Sequence, residues 1–308
     1  MLSRSKILVA GASGLVGSAI VRELIRIGCD NINTPSHKEL DFMDQKKVFD
    51  YLKKEQFDYV IDAAAKVGGI NANRLMPSEF FYENNQISMN LIWGSFIAGI
   101  PHFIYLGSAC MYPKDCVQPI KEEYLNSGYY EPTNEGYALA KMGGVRLCQY
   151  LAKQYGCHYI SAIPANTYGI GDSFDEQNAH VIPSIISKLI NAERNKQNEI
   201  VLWGSGKPLR EFIYVDDLAR GVVFAIQKYD GTTPFNIAGE SEISMSDLAE
   251  MIRSIIGSNC QIRWDNSKPD GMLRRKLDGS IMSNLGWKCN VPLELGIKKT
   301  VEWYINND

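Results

Sequence analysis

The segment 134–156, NEGYALAKMGGVRLCQYLAKQYG, has the apolar spacing of a helix and places Tyr137 and Lys141 four residues apart. Side chains at that spacing lie on the same face of a helix. An ammonium group beside a phenol stabilises the phenolate and lowers the tyrosine pKa from its usual value of about 10. Such a tyrosine can protonate a carbonyl oxygen while a hydride adds to the carbon. The pair therefore predicts reduction of a ketone; an ordinary surface Tyr–Lys pair is the alternative.

Ser108 follows the apolar run HFIYL (102–106) and Gly107. This pattern is typical of a buried strand that carries a serine just beyond its carboxyl end. From there, the Ser108 hydroxyl can donate a hydrogen bond to the ketone oxygen, and Lys141 can also bind the ribose beside a nicotinamide. We therefore expect Ser108, Tyr137 and Lys141 to be catalytic.

The N-terminal residues predict where the hydride donor binds. The apolar run KILVA (6–10) is followed by GASGLVG (11–17) and by apolar residues at helical spacing over 19–28. Strand, glycine-rich turn and helix in this order form the phosphate-binding unit of a doubly wound sheet, whose helix N-terminus offers free N–H groups to a pyrophosphate. A glycine-rich turn without a ligand is the alternative. The predicted cofactor-binding residues of this turn are Gly11, Ser13, Gly14, Leu15, Val16 and Gly17.

The residues after the second predicted strand (31–35) indicate which dinucleotide binds. An NAD site usually has an acidic residue there, which holds the ribose 2′-hydroxyl. This chain has Ser36, His37 and Lys38 instead. Polar and basic groups suit a 2′-phosphate, so we predict NADP, with His37 among its contacts. A solvated turn is the alternative.

Composition and charge argue against several other classes. The chain of 308 residues is 45% hydrophobic and 22% charged, as in ordinary globular proteins. A net charge of −3, with one short basic cluster at 274–276 that could hold a single anionic ligand, argues against nucleic-acid binding. The sequence lacks an 18-residue apolar stretch and a signal peptide, so we expect a cytoplasmic protein that does not bind membranes. The seven scattered cysteines predict neither disulfides nor a metal site.

The order of predicted elements indicates an α/β fold with a doubly wound (Rossmann) parallel sheet and a smaller, interleaved C-terminal substrate domain. We predict an NADP-binding domain over residues 1–170, to which a segment at about 210–230 returns. Residues 171–308 are then mainly substrate-binding. The segment 241–257 predicts a helix with Ser and Asp near its start.

Several longer segments resemble the GDP-L-fucose synthase family of extended short-chain dehydrogenases/reductases, and the resemblance runs along nearly the whole chain. They are GASGLVGSAI (11–20), AAAKVGGINAN (63–73), GSACMYPK (107–114), EPTNEGYALAK (131–141), NAHVIP (178–183), WGSGKPLREFIYVDD (203–217) and KPDG (268–271). The resemblance implies NADPH-dependent reduction of the C4 ketone of a GDP-4-keto-6-deoxy sugar, with epimerisation at C3 and C5. It also implies a homodimer that pairs through helices including the Tyr–Lys helix.

The resemblance further implies roles for individual residues. Cys110 and His180 match the acid–base pair that inverts C3 and C5, whose hydrogens the C4 ketone acidifies. A thiol titrates near 8.5 and an imidazole near 6.5, so both can exchange protons at neutral pH. The implied cofactor contacts are Leu106, Gly107, Lys141, Pro164, Asn166, Thr167 and His180. The implied substrate contacts are Lys188, Trp203, Arg210 and Asp270.

Without the resemblance, Cys110 would be interpreted as a small buried hydrophobic residue and His180 as a loop histidine with satisfied hydrogen bonds. The chain also departs from the family pattern around the expected sugar site, at Ala109, Met111, Gly136, Thr167 and Ala179. These departures fit neutral drift, a related substrate such as a GDP-4-keto-6-deoxyheptose, or an enzyme that reduces C4 while other proteins epimerise.

Three other functions on the same fold stay open at this point. A 4,6-dehydratase is expected to carry an Asp-Glu pair directly after the catalytic serine, where this chain has Ala109 and Cys110. A simple epimerase would consume no NADPH overall. A non-catalytic NADP sensor is expected to lose the tyrosine or the lysine, and both are present.

Overall fold

The computed structural model describes residues 2–175, 179–268 and 270–307. Asn178 and Pro269, which belong to two of the family-like segments, lie outside the described residues. The strands are β1 Ile7–Ala10, β2 Ile32–Asn33, β3 Tyr59–Asp62, β4 His102–Leu106, β5 His158–Pro164, β6 Asn166–Tyr168, β7 Glu199–Trp203, β8 Leu209–Tyr214, β9 Phe235–Ile237, β10 Glu242–Ser244, β11 Gln261–Asp265 and β12 Arg274–Arg275. The α-helices are α1 Leu15–Arg26, α2 Gln45–Glu55, α3 Ile70–Leu75, α4 Pro77–Ile97, α5 Glu135–Tyr155, α6 Val181–Arg194, α7 Val215–Lys228, α8 Met245–Ile256, α9 Ser280–Asn284 and α10 Leu293–Asn307.

A six-stranded sheet in the order β2-β1-β3-β4-β5-β9 forms the centre of the molecule, and every neighbouring pair in it is parallel. Its strands are short apolar runs, and β1 is buried throughout, as expected for a parallel sheet covered by helices. The strand order reverses at β1, because β2 lies on one side of it and β3 on the other. The predicted doubly wound fold is therefore confirmed. Ligands of such sheets bind at the carboxyl ends beside this reversal.

Helices α4 and α5 pack side by side, and two glycines of α5 allow close contact. A Cβ atom on Gly144 would lie 2.5 Å from the ring of Tyr105 on β4. A Cβ atom on Gly136 would lie 2.6 Å from the backbone oxygen of Pro77, the first residue of α4. A side chain at position 136 would therefore require α4 and the start of α5 to move apart.

A second set of elements lies beyond β5. Strand β8 pairs with β6, β10 and β12, and β7 pairs with β11. Residues of α6, α8 and α10 form a second apolar cluster, which includes Ile186, Leu248 and Ile297. Within the segment at about 210–230, α7 packs against α1, where Arg22 and Asp216 form a 2.8 Å ion pair, whereas β8 belongs to the second sheet. Among the described residues, no helix is both long enough and apolar enough to cross a membrane.

Candidate active site

The carboxyl ends of β1, β3, β4 and β5 lie side by side and carry most of the predicted site residues. The glycine-rich turn follows β1, Ser108 follows β4, and Pro164 ends β5. Parallel pairing places these ends at one edge of the sheet. The fold therefore brings the predicted cofactor turn and the predicted catalytic serine to the same crevice.

The glycine-rich turn leaves no room for side chains at its two ends. Gly11 has φ +76°, a conformation that favours glycine, and a Cβ atom on it would lie 2.7 Å from the Ala63 oxygen. A Cβ atom on Gly17 would overlap the backbone oxygen of Gly11. Helix α1 begins at Leu15, so its first backbone N–H groups have no partner within the helix. Ser13 and Gly14 are exposed at the bend, as a phosphate cradle requires.

His37 lies in the exposed turn after β2. Its side chain is 82% exposed, and Nε2 lies 3.4 Å from the Asp41 carboxylate. Glu39 is held away from the crevice, since its carboxylate accepts from the backbone N–H and the hydroxyl of Ser36 at 2.8 Å. The turn thus carries acidic and basic side chains, and both His37 and Lys38 are exposed there.

The structure brings Ser108 and Tyr137 together. Ser108 precedes a short 3-10 helix over Ala109–Met111, and its Oγ accepts from the Cys110 backbone N–H at 3.2 Å. Burial raises the pKa of the Tyr137 phenol, the nearby Cys110 sulfur adds to that rise, and the neighbouring Ser108 hydroxyl opposes it. The net direction is opposite to the one expected from the Tyr–Lys pair, because burial outweighs the other effects. Tyr137 is therefore a protonated acid at neutral pH.

Lys141 points into the protein beside the carboxyl end of β4. Its Nζ donates to the backbone oxygen of Leu106 at 2.9 Å and lies 4.8 Å from the ring centroid of Tyr105. Burial lowers the pKa of Lys141 to about 8, while the carboxylate of Asp62 acts in the opposite direction. The sequence analysis did not single out Asp62; the only signal was an acidic residue inside the apolar run 59–65.

Cys110 lies in a polar pocket that the sequence analysis did not find. Asn134 donates from Nδ2 to its Sγ at 3.1 Å, and Nη1 of Arg275 is 3.9 Å from the same sulfur. Two further atoms, Oδ1 of Asn134 and Nε of Arg275, are buried and have no hydrogen-bond partner in the described part of the chain. Arg275 belongs to the basic cluster at 274–276, which was identified only as a place for one anion. The pocket has one unused acceptor and one unused donor beside the thiol.

His180 immediately precedes α6, and its Nδ1 lies 4.0 Å from a carboxylate oxygen of the buried Asp172. The imidazole is about half exposed, at 53%. No hydrogen bond joins it to Cys110 within the described residues. The structure therefore places Cys110 with Asn134 and Arg275, and His180 with Asp172.

The predicted substrate residues lie on the second sheet and its loops. Asp270 accepts from the backbone N–H and hydroxyl of Ser205 at 2.6 and 2.7 Å, and this fixes the loop after β7. Burial, and then the neighbouring Arg275, lower the pKa of Arg210 to about 10. Trp203 is 63% exposed and lies beneath the ammonium group of Lys268.

The remaining predicted contacts are held by backbone hydrogen bonds. Lys188 on α6 donates to the Val201 oxygen at 3.3 Å. The Gly107 N–H binds the Ala162 oxygen at 2.8 Å and so ties the end of β4 to β5.

Just beyond β5, Asn166 donates to the Glu211 oxygen at 2.9 Å, and Thr167 donates to the Ala165 oxygen at 3.1 Å. These bonds fix the loop after Pro164. Within the described residues, no group of three or more His, Cys, Asp or Glu side chains could hold a metal ion.

Comparison with known proteins gives consistent matches along the chain. The model of the NAD dependent epimerase/dehydratase family matches residues 7–238. Probable GDP-L-fucose synthase 1 of Oryza sativa subsp. japonica is 43% identical over 98% of this chain and 92% of its own length.

Two solved structures are similar over nearly their full lengths. A GDP-6-OMe-4-keto-L-xylo-heptose reductase from C. jejuni has a TM-score of 0.93 and 30% identity, over 100% of this chain and 99% of its own. A GDP-L-fucose synthetase from Naegleria fowleri bound to NADP has a TM-score of 0.90 and 28% identity, over 98% of this chain and 94% of its own.

Proposed function

This chain belongs to the GDP-L-fucose synthase group of the NAD dependent epimerase/dehydratase family, and from that premise we propose that it is an NADPH-dependent nucleotide-sugar epimerase/reductase. Its substrate is a GDP-4-keto-6-deoxy sugar, which it reduces at C4 and epimerises at C3 and C5. The observation that carries the proposal is that Ser108 follows the end of β4, where the buried Lys141, one helical turn after Tyr137, donates to the Leu106 oxygen, at the same sheet edge as the glycine-rich turn.

The glycine-rich turn fits a dinucleotide, since it excludes side chains at positions 11 and 17 and leaves the first N–H groups of α1 free. The residues from Gly11 to Gly17 hold the pyrophosphate, and His37 contacts the 2′-phosphate. When bound, NADPH supplies the hydride. Pro164 and Thr167 line the nicotinamide side of the crevice, together with the end of β4.

In the reduction, Tyr137 donates its proton to the C4 oxygen while Ser108 donates a hydrogen bond to the same atom. Donation leaves a phenolate, and the Lys141 ammonium group stabilises that charge. General acid catalysis by a positioned side chain contributes roughly 10²–10⁴-fold in rate.

In the epimerisation, Cys110 and His180 exchange protons with C3 and C5. Asn134 and Arg275 hold the Cys110 sulfur in place for this step, with donor nitrogens at 3.1 and 3.9 Å from it. Arg210 binds the diphosphate, with Lys188 and Trp203 completing the nucleotide site. Asp270 contacts the sugar or the ribose.

We also infer a cytoplasmic homodimer that pairs through α4 and α5. These helices expose large apolar side chains, namely Phe81, Trp93, Ile97, Leu139 and Tyr150. Exposed large apolar side chains are common at protein interfaces. In each protomer, residues 1–170 with α7 form the cofactor domain, and most of 171–308 forms the substrate domain.

A second candidate is a C4 reductase of a GDP-4-keto-6-deoxyheptose that leaves epimerisation to separate enzymes. One observation favours it, the similarity to the C. jejuni heptose reductase. The deciding experiment incubates the protein with NADPH in D₂O and either GDP-4-keto-6-deoxymannose or the matching heptose, and identifies products by NMR. The first proposal expects reduction with deuterium at C3 and C5. Reduction without deuterium supports the second, and no NADPH oxidation with either sugar contradicts both.

A further inference from the structure

A carboxylate lies buried beneath the predicted catalytic lysine. Asp62, the last residue of β3, is fully buried, and its Oδ1 accepts from the Ala64 backbone N–H at 3.0 Å. Its Oδ2 is also buried and has no hydrogen-bond partner among the described residues. A buried carboxylate is costly unless a positive charge compensates for it. Asp62 therefore points to a nearby cation.

The strand register shows which face of the sheet the carboxylate shares with the Lys141 ammonium group. Asp62 is the Cα partner of Tyr105 in the parallel pair of β3 and β4, and register partners project to the same face of a sheet. On that face, the Lys141 Nζ lies 4.8 Å from the Tyr105 ring centroid. The carboxylate and the ammonium group therefore share the buried layer between the sheet and α5.

The other titratable groups of this layer are neutral near pH 7. Burial raises the pKa values of Tyr105 on β4 and of Cys148 and Tyr137 on α5. Burial also raises the pKa of Asp62 to about 7 and lowers that of Lys141 to about 8, and each of the two charges opposes this effect on the other. The charge state of the layer thus depends on this one pair.

We propose that Asp62 is a positioning residue for the reduction: its carboxylate keeps the Lys141 side chain protonated and aimed at the carboxyl end of β4. This inference rests on the proposed reductase activity, in which a charged Lys141 stabilises the phenolate of Tyr137. Asp62 touches neither the substrate nor the cofactor and acts only through Lys141. A purely structural carboxylate would instead affect stability and leave the titration of Lys141 unchanged.

The test replaces Asp62 with a neutral side chain and follows Lys141 directly. In Asp62→Asn, which keeps the size and shape of the side chain, the Lys141 ¹³Cε resonance should titrate about one pH unit lower than in the parent protein, since a single nearby charge contributes a shift of that order. Its assignment comes from the signal lost in Lys141→Arg. Ser88→Ala is the matched control, because it removes the 3.0 Å hydrogen bond to Tyr105 in the same layer without removing a charge.

The pH profile of the reduction gives the second readout. In Asp62→Asn, the loss of kcat at alkaline pH should begin about one pH unit lower than in the parent protein. The variant should therefore be about 5- to 10-fold slower at pH 8 and nearly unchanged at pH 6.5. Asp62→Leu should show the same shifts as Asp62→Asn, and it replaces that variant if Asp62→Asn folds poorly. An unmoved Lys141 titration in both variants would overturn the inference. A shifted titration in a protein that reduces no ketosugar would instead refute the reductase proposal alone.

Discussion

Asn134 donates its Nδ2–H to the Sγ of Cys110 at 3.1 Å, across 24 residues of sequence and just before the helix that carries Tyr137. The thiol therefore lies among hydrogen-bond donors, and the alternative of a small residue in an apolar core does not describe its surroundings. The same sulfur contributes to the raised pKa of Tyr137. The groups proposed for proton transfer at carbon and at oxygen are thus neighbours in one crevice.

Two of the three glycines of the cofactor turn, Gly14 and Gly17, should respond differently to alanine. A Cβ atom on Gly17 overlaps the Gly11 oxygen, whereas one on Gly14 lies 3.4 Å from it, an ordinary contact. Gly17→Ala should lower both the melting temperature and NADPH affinity. Gly14→Ala should keep the melting temperature and weaken NADPH binding alone, as measured by calorimetry. Equal thermal stability of the two variants would contradict this account of the turn.

The choice of cofactor should depend on the turn after β2. NADPH should give at least roughly tenfold higher kcat/KM than NADH, because the His37 imidazole is 82% exposed in the turn where a 2′-phosphate would bind. His37→Asp should lower kcat/KM for NADPH and so reduce the ratio of the NADPH value to the NADH value. The NADH value in the same variant is the control and should not fall. Equal efficiency of both cofactors in the parent enzyme would refute the NADP assignment.

Removing the phenol should stop the reduction. Tyr137→Phe deletes the proton donor and should lower kcat by roughly 10²-fold or more. NADPH affinity should survive, since the phosphate cradle lies on α1. Phe80 packs edge-on to the Tyr137 ring at 6.4 Å, and phenylalanine keeps that contact, so the fold should be undisturbed. A turnover rate within a few fold of the parent value would mean that another group supplies the proton.

The sequence predicted most of what depends on local patterns. Helix α5 over Glu135–Tyr155 follows the predicted spacing within a residue at each end, and β4 coincides with the apolar run 102–106. The glycine-rich turn between β1 and α1 was likewise predicted, because turn chemistry and helical spacing act over a few residues.

Contacts between distant residues could not be found in this way. Arg275 meets Cys110 across 165 residues, and only the folded chain brings them together. Asp62 looked like the polar end of a strand, since no periodicity reveals that Lys141 lies above it. The rise in the pKa of Tyr137 was also missed, because sequence spacing carries no information about the degree of burial.

Glu211 should make stability depend on pH. Its side chain is buried, one oxygen accepts from the Leu277 N–H at 3.1 Å, and burial raises its pKa to about 7. An acid with a raised folded-state pKa contributes stability that is present below its unfolded pKa and is lost as pH rises through the folded value. Glu211→Gln should therefore gain stability relative to the parent between pH 5 and pH 8, by roughly 1–3 kcal/mol in urea unfolding.

Glu242 provides the control of opposite sign. Arg274 binds its carboxylate and lowers its pKa, so its contribution is lost as pH falls. Glu242→Gln should therefore lose stability relative to the parent as pH rises over the acid range. The stability difference between variant and parent should therefore change with pH in opposite directions for the two variants. The same direction in both would contradict the claim that burial raises the pKa of Glu211.

Loss of the thiol should separate the two proposed reactions. Exchange at C3 and C5 needs a group that takes and returns a proton near neutral pH, and a serine hydroxyl is too weak an acid to replace a thiol. Cys110→Ser should abolish most deuterium uptake from D₂O at these carbons. It should still reduce a GDP-4-keto sugar whose stereocentres are already inverted, because Ser108, Tyr137 and Lys141 are intact.

Arg275 offers a graded version of the same experiment. Its Nη1 lies 3.9 Å from the Cys110 sulfur, so Arg275→Met should remove a donor and a positive charge from beside the thiol while keeping a side chain of similar length. We expect roughly tenfold slower exchange at C3 and C5, the scale of one lost hydrogen bond to a charged group, and Arg275→Lys should restore part of the loss. Arg274→Met is the control, because Arg274 is paired with Glu242 at 2.6 Å. The parent enzyme could instead oxidise NADPH with its substrate and incorporate no deuterium. In that case Cys110 has no proton-transfer role, and the protein is a C4 reductase that leaves epimerisation to separate enzymes.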